Sequence, residues 1–275
     1  MKAIKNAVPI HISEVESIEL SINDLLENHL GLKPKEYSYI GSFGQREFSS
    51  DIDILISESA LDLKDAISGL KAHGYKDIVP SQGFNQLSFG FSVPRMFKID
   101  IGNIPYEEVD VYLDSELERM KKEDLIKIYQ VDLMFSKNFE WSKFIYYSDP
   151  SSKFKGVYRN LLLMSTMIVQ TKVEIDNDNY EQWNIRLKDG LYNVKKTFEG
   201  KSGKRLKNPR VIEESFITDH PEDISKILDI PIEEMGSFEN LLKHIERRSD
   251  YNQIMVKFED YCNSLKIEIP DGSIY

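Results

Sequence analysis

Asp51 and Asp53 stand one residue apart in the run Asp51-Ile52-Asp53-Ile54-Leu55-Ile56, and eight residues separate Asp51 from the Gly41-Ser42 pair upstream. Successive side chains of a β-strand alternate faces, so the two carboxylates share one face while Ile52 and Ile54 turn into a core. Two carboxylates side by side on a buried strand repel each other and lose hydration, which calls for a cation between them. Hard oxygen ligands select Mg²⁺ or Mn²⁺. The Gly-Ser turn adds backbone N–H groups and a hydroxyl that can hold phosphate oxygens. A phosphate cradle beside metal-binding carboxylates is equipment for moving a nucleotidyl group.

A third carboxylate belongs to the same chemistry. Asp132 interrupts the apolar segment Ile126–Phe135, which reads as a buried strand. An unpaired carboxylate there would cost several kcal/mol, on the order of the penalty for any isolated buried charge, so Asp132 needs a partner. A metal shared with Asp51 and Asp53 supplies one. Asp100, in Lys98-Ile99-Asp100-Ile101, and Asp110, in Val109-Asp110-Val111, are the rivals for this place. Asp132 ranks ahead of both because Gly102 and Pro105 interrupt the first setting and Glu107-Glu108 precedes the second.

On these residues the chain resembles the DNA polymerase β-like nucleotidyltransferase superfamily, with its Gly-Ser turn, Asp-hydrophobic-Asp strand and later Asp. The resemblance covers roughly the first 160 residues. It implies attack by an acceptor hydroxyl on the α-phosphate of a nucleoside triphosphate, with release of pyrophosphate. Two Mg²⁺ or Mn²⁺ ions about 4 Å apart would stabilise the attacking and leaving oxygens. Asp51, Asp53 and Asp132 would then be the catalytic metal ligands, and Gly41 and Ser42 would hold the β- and γ-phosphates. In proteins of this kind the helix after the third aspartate carries nucleotide contacts. Here Lys155 and Arg159 are the expected triphosphate contacts and Tyr158 a base or ribose contact.

The elements that must position these residues are legible in outline. Ser13 and Glu16 read as a capping box opening a helix whose apolar face runs from Ile12 to Leu30, and Gly31 suits its end. Strands are expected at 37–40 and 50–56, a helix over 60–73, and strands at 84–91, 96–102 and 126–135. The expected fold is α+β, a small mixed sheet flanked by helices over 1–150, then a mostly helical substrate or acceptor domain over 151–275. That second part should hold helices at 156–170, 220–229 and 238–265, and a basic hairpin within Leu191–Val211. Lys204, Arg205 and Lys207 near its tip are the candidate acceptor contacts. Gly200-Lys201-Ser202-Gly203-Lys204 lacks the spacing of a P-loop.

The composition narrows the class. With 41% hydrophobic and 29% charged residues among 275, the chain can bury a core in each of two modest domains, which excludes wholesale disorder. No apolar run approaches a membrane span. One cysteine rules out an internal disulfide and a multi-cysteine zinc site, so a reducing cytoplasm is the expected setting. A net charge of −11 argues against a surface that coats nucleic acid but leaves room for a local basic groove. The first expectation is therefore nucleotidyl transfer to an RNA or tRNA-like 3′ end, with no obligate protein partner. Transfer to a small molecule or protein is the alternative that the charge favours. A non-enzymatic nucleotide-binding module of the same fold is the third.

Overall fold

The computed structural model describes residues 3–81, 85–92, 127–147, 149–200 and 204–270. The expected strand at 96–102, Asp100, Asp110 and the hairpin tip at 201–203 lie outside the described residues. The chain divides into two compact units, 1–137 and 138–275, so the helix that follows Lys137 belongs to the second unit, ahead of the turn near 150.

In the first unit, strands β1 (Ile10–His11) and β3 (Phe48–Ser49) form a short pair. The main sheet contains β2 (Tyr37–Ile40), β4 (Ile52–Ser57), β5 (Ile78–Pro80), β6 (Gln86–Ser92) and β7 (Ile128–Ser136). Their spatial order is β2-β4-β7-β6-β5, with β4 and β7 parallel and the other pairs antiparallel. The two-residue period sorts the sheet. Ile52, Ile54 and Ile56, Val131, Leu133 and Phe135, and Leu87, Phe89 and Phe91 all enter one buried cluster. Helices α1 (Val15–Asp24) and α2 (Leu63–Ala72) add Ile18, Ile22, Ala66 and Leu70 to that cluster. Each such side chain is worth about 1.5–3 kcal/mol when fully buried, so this face fixes the register and leaves the alternate positions for chemistry.

Two local expectations shift. The capping box lies at His11 and Glu14 rather than Ser13 and Glu16. Glu14 accepts from the His11 backbone N–H, and Lys127 and Tyr129 also hold its carboxylate, so long-range partners select this acid. After α1 the chain makes a wider π turn over Leu25–His29, then Gly31 takes a φ of +73° where a side chain would be strained.

The second unit contains α3 (Phe139–Tyr146), α4 (Gly156–Thr171), α5 (Pro221–Leu228), α6 (Phe238–Ile245) and α7 (Tyr251–Leu265). It also holds an antiparallel sheet of β8 (Val173–Glu174), β9 (Asn179–Arg186), β10 (Gly190–Glu199) and β11 (Arg205–Thr218), in the order β11-β10-β9-β8. The hairpin is the β10–β11 pair; β8 and β9 make the unit less helical than its sequence suggests. Asn179–Arg186 is mostly polar, with only Gln182 and Ile185 buried, so it offers no apolar alternation to read. The helical stretch expected over 238–265 divides into α6 and α7, and between them Arg248 pairs with Asp250 and donates to the Leu228 carbonyl. Among the described residues no helix is long and apolar enough to cross a membrane.

Candidate active site

The parallel register of β4 and β7 sets Asp53 directly beside Asp132. Both project from the sheet face opposite the apolar cluster, as alternation from Ile52, Ile54, Val131 and Leu133 requires. Antiparallel pairing with β6 brings Ser88 beside Asp132 on its other flank. Asp51 lies one residue before β4, and the Ser50 hydroxyl donates to it at 2.7 Å.

The electrostatics record the crowding. Burial, then the charges of Asp51 and Asp132, push the Asp53 carboxyl up to about 7. Asp132 is buried, and desolvation raises its pKa, opposed by hydrogen bonds from Ser88 and Gln130 and reinforced by the charge of Asp51. Among the described residues no lysine, arginine or histidine makes an ion pair with Asp51, Asp53 or Asp132. The three carboxylates therefore act on one another with no ion-pair partner among the described residues. They do not close into a ligand set: among the described residues no group of three or more His, Cys, Asp or Glu side chains is drawn together tightly enough to hold a metal ion.

Gly41 ends β2 with a φ of +73°, and a Cβ there would stand 2.5 Å from Asp53 Oδ2. Glycine is thus required twice, for the left-handed turn and for the close approach of the acidic strand. Ser42 follows half-buried; its carbonyl accepts from Ser49 Oγ at 2.9 Å, which ties the turn to β3. Its hydroxyl makes no hydrogen bond among the described residues, so it remains available to a ligand oxygen.

The three residues expected to contact nucleotide at the start of α4 take different directions. Lys155 is the exposed N-cap residue. Tyr158 is half-buried, edge-on to Phe154 and Phe238. Arg159 is only 2% exposed. Its guanidinium donates to the carbonyls of Met235 (2.6 Å), Phe144 (2.9 Å) and Ile145 (3.3 Å) and to Asn160 Oδ1 (2.8 Å). Phe144 and Ile145 lie in the last turn of α3, where carbonyls lack helical partners and a cation is favoured. Arg159 thus caps α3, with its guanidinium committed to these carbonyls.

Of the candidate acceptor residues, Lys204 and Lys207 are exposed and make no ion pair among the described residues. Arg205 lies 3.5 Å from Asp178 and 5.1 Å from the Phe198 ring. Sequence reasoning missed Gln130 and Ser88, which hold Asp132. The signal was present for Gln130, a second polar residue on the same face of an apolar strand, two positions before the aspartate.

No protein-family model matches the chain, and no curated protein matches it. Among solved structures it is similar to the crystal structure of Leishmania infantum polymerase beta in a ternary P/T complex. Identity is 15%, over 82% of this chain and 75% of that chain, with a TM-score of 0.44. A likeness of this degree carries no inference about activity.

Proposed function

We propose that this chain is a metal-dependent nucleotidyltransferase that moves a nucleoside monophosphate from a nucleoside triphosphate to an acceptor hydroxyl. The observation that carries the reading is the pairing of Asp53 with Asp132 on one sheet face beside Asp51, with no ion-pair partner among the described residues. The chemistry of the donor set fits a hard divalent cation: carboxylate oxygens only, crowded enough to repel one another. Asp51, Asp53 and Asp132 would hold Mg²⁺ or Mn²⁺, which when bound neutralises charge on the reacting phosphate and on the attacking and leaving oxygens. Ser42 Oγ and the backbone of the Gly41 turn would orient the β- and γ-phosphates. Asp132, on the strand flanked by both β4 and β6, would orient the acceptor hydroxyl and receive its proton. Exposed Lys155 remains the candidate triphosphate cation of the second unit, with Tyr158 as a base or ribose contact.

The acceptor of first choice is an RNA or tRNA-like 3′ end, approached through Lys204, Arg205 and Lys207. Acidic neighbours of the hairpin favour a second reading, transfer to a small molecule or protein. Lys195 faces Glu213 on one side and Glu181 on the other, and Arg186 pairs with Glu214. Incubation with each labelled nucleoside triphosphate and total cellular RNA, with products resolved by size, tests the reading. Label should enter RNA in the presence of Mg²⁺ or Mn²⁺, and Asp53→Asn and Asp132→Asn should each abolish it. Metal-dependent label in protein or small products would select the second acceptor class. Absence of turnover on every acceptor would leave only a nucleotide-binding module.

A further inference from the structure

The segment from Ala3 to His11 reaches both halves of the candidate site. The backbone N–H groups of Ala3 and Ile4 donate to Gln130 Oε1 at 3.0 and 3.2 Å. Gln130 is 5% exposed, and its Nε2 donates to both oxygens of Asp132 at 3.2 Å. Chemistry fixes the direction of this amide. A flip would set its N–H₂ against two backbone donors and its oxygen against a carboxylate. Further along, Val8 N donates to Ile128 O at 2.9 Å, and Ile10 pairs with Ser49, whose hydroxyl holds the Ser42 carbonyl. Ile4 and Ile10 anchor the segment, each almost fully buried.

We propose that this N-terminal segment is a positioning brace for the metal site: through Gln130 it sets the orientation of the Asp132 carboxylate, and through Ser49 it sets the Gly-Ser turn. The inference rests on the reading of Asp51, Asp53 and Asp132 as metal ligands. Gln130 touches no reacting atom and acts through Asp132. A carboxylate held in advance by a hydrogen-bonded neighbour loses less freedom on ligation, and removing such outer partners typically weakens metal binding about 10- to 100-fold. The brace also gives a reason for burying a glutamine in the central strand: each end of the amide is satisfied, one by the segment and the other by the ligand.

Mn²⁺ titration of the full chain by calorimetry, with a thermal melt of every variant, tests the brace. The variants are Gln130→Met, which removes both ends of the relay, and deletion of residues 1–4, which removes the two backbone donors. Ala3→Pro is a milder probe that removes one N–H without touching Asp132. Gln130→Met and the deletion should each weaken Mn²⁺ binding by about 10-fold or more, and Ala3→Pro by less. Combined, Gln130→Met and the deletion should cost no more than the larger single effect, because both break one relay. A lowered melting temperature with unchanged Mn²⁺ affinity in the variants would overturn the brace alone, as would full additivity. If the deletion prevents folding, Ala3→Pro decides by itself, and wild-type affinity there overturns the proposal. Failure of the unaltered protein to bind Mn²⁺ would instead overturn the metal-site reading and the brace with it.

Discussion

At the residue scale, Asp53 shows how one side chain comes to carry both a cost and a use. Its carboxyl is raised to about 7 by burial and by two neighbouring carboxylates, against an ordinary value of 3.8. The folded chain therefore holds this proton more tightly than the unfolded chain does. Below about pH 4 both states are protonated and the favourable contribution is complete. As pH rises through about 7 the folded state must ionise Asp53 beside its neighbours, and that stability is lost. Asp53→Asn removes the ionisation, so without divalent metal the variant should match the native chain at pH 4. It should melt a few degrees higher at pH 8, on the order of what 1–2 kcal/mol shifts a midpoint in a chain of this size. Melting curves recorded in chelator across that range check this. A difference that stays flat with pH would mean that Asp53 ionises unhindered in the folded state.

Legibility at this scale follows the type of signal. Gly41, Ser42, Asp51, Asp53 and Asp132 stood out because glycine in a turn and acid in an apolar run conflict with local burial rules unless something compensates them. Gln130 did not, because an uncharged amide in a strand raises no comparable conflict. Its role rests on backbone donors more than a hundred positions away in sequence.

Elements were readable where burial is one-sided and periodic. β2 spans the expected residues, and β4, β6, β7, α2 and α4 fall within a few residues of expectation, since each has an apolar face of its own period. β8 and β9 were not readable, because β9 is held by ladder bonds to β10 and β8 by ladder bonds to β9, which no local pattern announces. Arg159 is the instructive case. A basic residue near a helix start reads as an anion contact, yet its side chain reaches back to finish another helix. Arg159→Met should leave the Phe144 and Met235 carbonyls without this donor in a buried setting and destabilise the chain by about 2–4 kcal/mol. The exposed neighbour Lys155→Ala should stay within about 0.5 kcal/mol of the native value. Urea unfolding of the two variants separates a capping arginine from a surface one; equal midpoints would remove the structural role.

For the whole molecule, charge decides what the second unit can recruit. The net charge of −11 opposes any approach of a polyanion, so an RNA end must be captured by a few cations close at hand. Lys204 and Lys207 are exposed and without ion pairs among the described residues, whereas Arg205 shares its charge with Asp178. Replacing all three with alanine takes the formal charge from −11 to −14. If they grip single-stranded RNA, affinity should fall and the log–log salt slope should flatten by up to about two, roughly 0.7 for each phosphate no longer neutralised. The partly neutralised Arg205 should account for the smallest share when the three are replaced singly. A general charge effect predicts something different: weaker binding spread evenly over any three surface lysines, such as Lys33, Lys35 and Lys64. Filter binding at graded salt with both triple variants distinguishes the cases. Equal losses would mean the hairpin is a solvated turn, and the small-molecule or protein acceptor would then take first place.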